Sequence, residues 1–297
     1  MISIVGGTGR LGGLVAVRLL ADGHRVRLIS RQAHADMPQG AEFVAADVRR
    51  PETLTAALSG SRVVVAAMHG VDPASGESPA EVDRDGSTAL FAAARAEGAD
   101  IVFVSIRGAS ADHPMELVRM KGLAEQALRA GESARKDWTI VRPTAYVETW
   151  ADLIRQTAAP RGVPTVFGKG LNPMNFVTVN DAAVAVTRAV TDAGLRGSVI
   201  DVGGPQDLTM VELARLVTHQ QKVNHVPRVM LRILGTVLAS AKPAQARLIR
   251  MSLQMDTLPL TFDPGPVREA FPWLPCTPVQ EALAGAGGVD RRPRTAA

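Results

Sequence analysis

The sequence predicts an α/β protein with a doubly wound parallel sheet and a smaller C-terminal cap. Short β-branched runs alternate with helical patterns through the first half of the 297 residues. Apolar residues make up 46% of the chain and aromatic residues only 4%. The core must therefore be built from Ala, Val, Leu and Ile, a composition that suits helices packed on a buried parallel sheet.

Six runs of β-branched and other apolar residues have the length of buried strands. They span residues 2–5, 25–30, 42–46, 62–67, 101–105 and 138–142. Helical patterns separate them; for example, Leu11, Val15 and Leu19 share one face, and Gly23 follows as a C-terminal cap. Repetition of strand and helix predicts right-handed crossovers, with helices covering both faces of the sheet.

The second half of the chain is predicted to complete the sheet and to build the cap. Residues 1–158 form the core in this interpretation, and residues 176–202 add elements to it. The cap comprises 159–175, a Pro- and Gly-rich loop, and 203–290, and residues 291–297 form a disordered tail.

Two helix starts are predicted in this half from the capping residues. One helix begins near Asn180 or Asp181. The other begins after Thr209, which has Glu212 at the spacing of a capping box.

A glycine-rich turn directly follows the first strand and opens the first helix. Gly6, Gly9 and Gly12 have the spacing G-x-x-G-x-x-G, which lets the backbone turn tightly and approach a pyrophosphate. The charge of a pyrophosphate would be bound by free amides at the helix N-terminus. In this context the turn predicts a dinucleotide site, with Gly6, Thr8, Gly9, Arg10 and Leu11 as cofactor contacts.

The residues after the second and third strands bear on which dinucleotide binds. Ser30 and Arg31 stand where an NAD-preferring site usually places a carboxylate. Since a guanidinium can bind a 2′-phosphate, NADP is favoured over NAD, unless Arg31 is only a solvated loop residue. Asp47, followed by Val48, either reaches the adenine amino group or caps the local turn.

Small residues end the fourth strand and leave room for a ribose over the strand ends. Ala66, Ala67 and Met68 are the predicted cofactor contacts there.

A lysine lies on the inward face of the helix in "MELVRMKGLAEQ". Leu117, Lys121, Ala124 and Leu128 follow the spacing of one helical stripe, so Lys121 shares a seam with apolar neighbours. A buried ammonium needs a partner, and the residue one turn earlier is Leu117 rather than a hydroxyl or carboxylate.

The motifs together resemble an atypical short-chain dehydrogenase/reductase of the NmrA-like, NAD(P)H-binding group. The resemblance rests on "IVGGTGRLGG", "VDRDGSTALFAAARAEGA", "IVFVSI", "MKGLAEQAL", "DWTIVRPTAYVE" and "FVTVNDAAVAV", which fall in order along roughly residues 1–220. It implies a Rossmann core, with substrate bound between that core and a C-terminal substrate cap.

The resemblance also implies catalytic positions. Ser105 matches the family's serine and Lys121 its lysine, which binds the nicotinamide ribose, but Leu117 occupies the place of the tyrosine proton donor. Pro143, Thr144 and Tyr146 follow the sixth strand and are expected near the nicotinamide.

Because Leu117 stands in place of the tyrosine, the identity of the proton donor is open. Tyr146, the only tyrosine of the chain, either donates a proton or stacks in the pocket. His113, His69 and Lys121 itself are other possible donors.

Three functions are compatible with these features. The favoured one is an NADPH-dependent reductase of a quinone- or enone-type hydrophobic acceptor, since hydride addition there leaves a delocalised anion that needs little acid catalysis. The alternatives are an NADP(H)-binding redox sensor without turnover and a structural subunit of a larger complex. An apolar pocket lining is expected from Phe167, Met174, Phe176, Met230 and Leu234, unless these are core or oligomer interface.

Composition limits the other partners. The net charge of +4 is small and is taken as spread along the chain, which does not indicate nucleic-acid binding. Cys276 is alone, so no intramolecular disulfide or Cys-based metal cluster is expected, and no metal is predicted.

Neither a secretory leader nor a membrane-spanning run is predicted, so a cytoplasmic monomer or homodimer without stable membrane insertion is expected. The segment from Val226 reads as an amphipathic helix. A cavity wall or subunit contact is favoured for it over a membrane-surface role.

Overall fold

The computed structural model describes residues 1–72, 76–131, 136–160 and 162–286. Its strands are β1 (Ile2–Val5), β2 (Val26–Ser30), β3 (Glu42–Ala45), β4 (Val63–Ala66), β5 (Asp100–Val104), β6 (Trp138–Pro143), β7 (Ala145–Tyr146), β8 (Thr165–Phe167), β9 (Met174–Val177), β10 (Val199–Val202), β11 (Asp207–Leu208) and β12 (Asn224–Val226). Its α-helices are α1 (Arg10–Ala21), α2 (Leu54–Leu58), α3 (Ser87–Ala96), α4 (Glu116–Ala130), α5 (Val147–Ala158), α6 (Val179–Thr191), α7 (Met210–Thr218), α8 (Arg228–Ala241), α9 (Pro243–Met255), α10 (Gly265–Ala270) and α11 (Val279–Ala286). Short 3₁₀ turns cover Pro51–Thr53 and Ala193–Leu195, and a π-helical segment, Ala80–Gly86, leads into α3.

A seven-stranded parallel sheet forms the centre of the molecule, which confirms the predicted fold class. Its strand order is β10-β6-β5-β4-β1-β2-β3. The chain runs from β1 outward to β3 and then returns to β4 on the other side of β1. This reversal opens a crevice at the carboxyl ends of β1 and β4, where ligands bind in open α/β sheets.

Helices cover both faces of this sheet. Because side chains alternate along a strand, Ile4 joins the core under α1 and α6, whereas Val5 joins the core under α2, α3 and α4. The first core includes Val15 and Leu19 of α1, and the second includes Phe91 of α3. The predicted helix stripes therefore face the sheet as expected.

The C-terminal half adds β10 to the large sheet and builds two small sheets beside it. One has the order β11-β9-β7 and the other pairs β12 with β8, so the predicted loop 159–175 contains one strand and the start of another. The boundaries between core and cap stay a prediction, and the predicted tail 291–297 lies outside the described residues.

The two predicted helix starts have different outcomes. Thr209 and Glu212 form the predicted capping box at the start of α7. The start of α6 near Asn180 or Asp181 is corrected, because α6 begins at Val179, after Thr178, whose hydroxyl oxygen accepts a hydrogen bond from the Asp181 amide at 2.9 Å. A threonine cap was available one turn earlier than the acidic residue.

Candidate cofactor and active site

The glycine turn between β1 and α1 lies directly against the end of β4. Gly6 has a φ of +82°, and a Cβ there would lie 2.8 Å from the carbonyl oxygen of Ala67. A Cβ on Gly12 would lie 2.4 Å from the carbonyl oxygen of Gly6. Side chains are thus excluded at both positions, and the backbone itself forms the wall of the crevice.

The N-terminus of α1 provides hydrogen-bond donors toward this crevice. Gly9 is the N-cap and offers no side chain to bind the amides of the first turn. Those amides have no partner within the helix, and the helix dipole favours a negative charge beside them. Thr8 and Leu11 flank this position, Leu11 being buried. The turn therefore fits the pyrophosphate of a dinucleotide.

Two of the predicted cofactor contacts have a buried polar atom without a hydrogen-bond partner among the described residues. These atoms are Nη1 of Arg10 and the phenol oxygen of Tyr146. Arg10 also pairs through Nη2 with Asp152 of α5. Unsatisfied buried polar groups are costly, so these two atoms fit a site that a polar ligand completes.

The environment of Tyr146 keeps its phenol neutral. Burial raises the pKa of Tyr146 above its ordinary value, and the negative charge of Glu148 raises it further. Burial also raises the pKa of Glu148, although its carboxylate accepts the Val179 amide at 3.0 Å. A phenol with a raised pKa donates hydrogen bonds but gives up its proton reluctantly, which favours stacking in the pocket over the proton-donor role.

Two arginines after β2 and β3 converge on one carboxylate. Nη1 of Arg31 lies 2.6 Å from Oε1 of Glu77, and Nε of Arg49 lies 3.3 Å from the same atom. Both arginines are partly exposed, whereas Glu77 is buried. Two guanidinium groups that share one anion form a suitable site for a phosphate.

Asp47 takes part in a local turn. Its carboxylate accepts the backbone amide of Arg49 at 3.0 Å and the Nη2 of the same residue at 2.6 Å. The hydrogen bond from the Arg49 side chain lowers the pKa of Asp47 below its ordinary value. Of the two interpretations, the structure favours the turn cap, and the adenine contact stays a prediction. Val48 is buried beside it, and the Ser30 hydroxyl donates to the Gln32 carbonyl at 2.7 Å.

Lys121 is buried and held by protein groups. Its Nζ donates to the carbonyl oxygens of Met68 at 2.9 Å and Val104 at 3.0 Å, and it lies 3.0 Å from Oδ1 of Asp83 in an ion pair. It also lies 4.8 Å from the centre of the Phe103 ring. Since Oδ1 of Asp83 has no hydrogen-bond partner among the described residues, only two of the three ammonium hydrogens are used in hydrogen bonds. The ribose contact stays a prediction.

Asp83 is held in place from two sides. It belongs to the π-helical segment, is fully buried, and accepts the Gly70 amide at 2.8 Å through its second oxygen. The wide turn of a π-helix is frequent at functional sites. Asp83 therefore links the loop after β4 to the lysine of α4.

Ser105 is part of a second buried network. Its hydroxyl donates to Oε1 of Glu125 at 2.5 Å, and Arg142 binds the same carboxylate through Nε at 2.8 Å and through Nη2. Glu125 is 4% exposed and lies one helical turn beyond Lys121. The Ser105 hydroxyl is thus directed into the protein in this structure.

The segment after β6 is tied to the small sheets. The Thr144 hydroxyl donates at 3.0 Å to Asn175, a fully enclosed amide that also binds Gly204. Pro143 ends β6, and Tyr146 lies in β7. The structure brings the glycine turn, Ala66–Met68 and Lys121 together through direct contacts, whereas Thr144 is occupied elsewhere.

A cavity of about 160 Å³ lies between the loop after β4, the start of α4 and helix α9. Leu117 lines it, at the place where the family's tyrosine would stand. Its charged lining residues are Arg119, Arg247 and Arg250 on one hand and Asp72, Glu77 and Glu116 on the other, and its apolar lining includes Leu248 and Met251. The cavity thus combines apolar walls with guanidinium groups and carboxylates.

The expected apolar lining of the substrate pocket is wrong for this cavity. Met174 and Phe176 are buried in a hydrophobic cluster beside the large sheet, and Met230 and Leu234 are exposed on α8. Phe167 lines only a smaller cavity of about 30 Å³. Hydrophobicity alone did not distinguish a lining residue from a core or surface residue.

Four functional residues were missed by sequence reasoning. Glu125 carried a signal, because it follows Lys121 at i+4 on the same inward stripe. Arg49 also carried a signal, since it follows Asp47 by two residues in the turn after β3. Asp83 and Glu77 carried none, because only the tertiary fold brings them to their partners.

The described part of the chain has neither a candidate metal site nor a candidate membrane span. No group of three or more His, Cys, Asp or Glu side chains that could hold a metal ion occurs there. No helix in that part is long and apolar enough to cross a membrane.

The chain is similar to known NAD(P)H-binding proteins. A model of an NAD(P)H-binding family matches residues 6–196. The chain is 30% identical to the NAD(P)H azoreductase of Xenophilus azovorans, over 72% of this chain and 71% of that protein. It is 26% identical to the photosystem II assembly factor Ycf39 of Trieres chinensis, over 79% and 74% of the two chains.

A solved structure shows the same fold. The NADPH-dependent quinone oxidoreductase of Escherichia coli, solved with NADPH, superposes with a TM-score of 0.74 at 22% identity, covering 97% of this chain and all of that one. The family match covers more than half of the chain and begins at the glycine turn. The protein therefore belongs to this NAD(P)H-binding family.

Proposed function

We propose that the protein is an NADPH-dependent reductase of a quinone- or enone-type hydrophobic acceptor. The observation that carries the proposal is Leu117 on the cavity wall, with Lys121 and Ser105 both bound inside the protein. None of these three positions offers a proton donor to the cavity. An acceptor that needs no acid in the site is therefore favoured.

The choice of NADPH rests on Arg31 and Arg49. Both lie at the ends of β2 and β3, where the adenosine ribose of a dinucleotide is expected, and both already share one carboxylate. A 2′-phosphate has the charge and the acceptor oxygens to bind both guanidinium groups. The turn at Gly6 and Gly9 would hold the pyrophosphate. When bound, NADPH supplies a hydride.

The cavity chemistry is consistent with a quinone or enone. Hydride addition at such an acceptor gives an anion delocalised over oxygen and carbon, which water can protonate later. Arg119, Arg247 and Arg250 would stabilise this negative charge electrostatically, and Leu248 and Met251 would pack against the apolar part. Relatives support the reaction class, since the azoreductase is an NAD(P)H enzyme by name.

Steady-state oxidation of NADPH, followed by absorbance, tests the proposal with a panel of small quinones and conjugated enones. Turnover is expected with these acceptors and not with simple ketones. Arg31→Ala should weaken NADPH binding by about 10-fold to 100-fold and leave NADH nearly unchanged, since it removes a charge-assisted contact to the 2′-phosphate only. Equal losses for both cofactors would contradict the assignment of Arg31.

A second candidate is an NADP(H)-binding sensor without turnover. The contacts of Lys121 with Asp83 and two carbonyls favour it, because these protein groups hold the lysine without any ligand. The similarity to an assembly factor is compatible with such a role. Tight NADPH binding without oxidation by any acceptor would support the sensor over the reductase.

A further inference from the structure

Helix α8 exposes a continuous apolar face. Val229, Ile233 and Val237 follow one another at intervals of four residues, and Met230 and Leu234 lie beside them. These five side chains are between 39% and 65% exposed. In the described chain, only Val17, Leu153 and Leu171 are comparable large exposed hydrophobic residues, and they belong to separate elements. The five residues are called the α8 face below.

The α8 face is not the side of the helix that packs against the rest of the protein. The opposite side of the helix already packs on α9, where Leu231 and Gly235 are buried. A Cβ on Gly235 would lie 3.3 Å from Ile249 of α9, so the two helices are in close contact. The exposed side is therefore directed away from the protein, which contradicts the expectation that this helix forms a cavity wall.

The segment that contains α8 and α9 has charged side chains of one sign, up to Asp256, which directly follows it. Residues 222–255, which contain α8 and α9, include six Lys or Arg residues and no Asp or Glu. Since the whole chain has a net charge of +4, the rest of the protein carries −2. The basic excess is thus concentrated in this hairpin and is not spread along the chain as expected from composition.

Several of these cations are available at the surface. Arg228 is neutralised by Asp256 at 2.5 Å, and Arg247 donates to the Glu77 carbonyl at 2.7 Å. By contrast, Arg232, on the border of the α8 face, and Lys242, directly after the helix, are exposed. Lys222 and Arg250 are exposed as well.

We propose that the α8 face docks on an anionic membrane surface. A helix with an apolar face, basic flanks and no acidic residue lies in the interface plane of a bilayer and is attracted by anionic headgroups. A second copy of the chain fits less well, because a two-fold contact would bring together two hairpins of the same positive charge. The helix of 14 residues is bound at the surface and does not span the bilayer.

Vesicle co-sedimentation of the full chain tests the proposal. Binding is expected with vesicles that contain one-third phosphatidylglycerol in phosphatidylcholine, but not with phosphatidylcholine alone. Binding should weaken strongly in about 0.5 M salt, where charges are screened within a few ångströms. The pair of substitutions Ile233→Glu and Val237→Glu should reduce the bound fraction about tenfold or more, since both residues lie in the centre of the apolar face.

Matched variants distinguish vesicle binding through the α8 face from nonspecific adsorption of the protein. Val17→Glu alters a side chain of similar exposure on α1 and should leave vesicle binding unchanged. Arg232→Glu with Lys242→Glu should reduce binding to anionic vesicles without altering the apolar residues. Circular dichroism and thermal unfolding of each variant would show whether it is folded.

Several outcomes would overturn the proposal. One is the absence of binding to anionic vesicles, and another is equal binding to anionic and neutral vesicles. The third is a loss of vesicle binding with Val17→Glu that equals the loss with Ile233→Glu and Val237→Glu. Light scattering after gel filtration addresses the second copy as occupant. If the protein does not bind vesicles but forms a dimer that Ile233→Glu dissociates, the α8 face is assigned to self-association instead.

Discussion

Removing one partner of the Asp83–Lys121 pair should destabilise the protein even when no nucleotide is present. The two charged groups are 3.0 Å apart, and their side chains are 0% and 5% exposed. Asp83→Asn preserves the shape of the side chain and can still accept the Gly70 amide. It leaves the Lys121 ammonium buried without its counter-charge, which is the costly state.

The expected loss can be estimated from this geometry. Leaving one member of a buried pair uncompensated costs about 3–5 kcal/mol. The unfolding entropy of a chain of 297 residues is about 0.6 kcal/mol per kelvin, so Tm should fall by about 5–8 °C. Lys121→Met should produce a fall of similar size, since it leaves the Asp83 carboxylate unpaired.

Thermal unfolding of the apo protein at neutral pH is the assay, and a double-mutant cycle isolates the pair. The variant with both substitutions should lose about 1–3 kcal/mol less than the sum of the single losses, because it contains no isolated buried charge. Asp85→Asn provides a matched control. Asp85 stands two residues away in an exposed pair with Arg84, and its loss should lower Tm by less than about 1 °C.

The result that refutes the reasoning is additivity. If the two single losses simply add, or if Lys121→Met leaves the apo Tm unchanged and only weakens NADPH binding, then the lysine acts through the ribose and not through Asp83.

Two further predictions concern Tyr146 and the glycine turn. Tyr146 is the only tyrosine, so the tyrosinate absorbance reports one group; it should be absent at pH 10 in the folded protein and appear at about pH 10 in denaturant. Folding raises the pKa of Tyr146, so its contribution to stability is complete below about pH 10 and is lost as the pH rises beyond that value. If the tyrosine titrated at the same pH in the folded and the denatured protein, its burial would be refuted. Gly12→Ala should weaken NADPH binding at least about tenfold, because its Cβ would displace the turn. Gly13→Ala is the control and should bind NADPH normally, because the nearest neighbour of its Cβ would lie 3.8 Å away. Equal affinities of the two variants in a fluorescence titration would contradict this role of the turn.

Local pattern was sufficient for the sheet and the glycine turn. Short continuous runs of apolar residues indicate buried strands, and a single apolar stripe indicates a helix, so β1 to β6 and α1 were predictable within a residue or two. The inward direction of Lys121 followed from the same periodicity. The start of α6 was misplaced because several capping residues occur in succession, and local pattern does not rank them.

Only the tertiary structure decided which groups face each other. The sequence by itself determined a dinucleotide-binding α/β core, a buried lysine on α4 and the absence of tyrosine at Leu117. It did not determine that Asp83 meets Lys121, that Glu125 receives the Ser105 hydroxyl, or that α8 turns its apolar face outward. The physical reason is that periodicity gives the face of an element, whereas a partner depends on how distant elements pack.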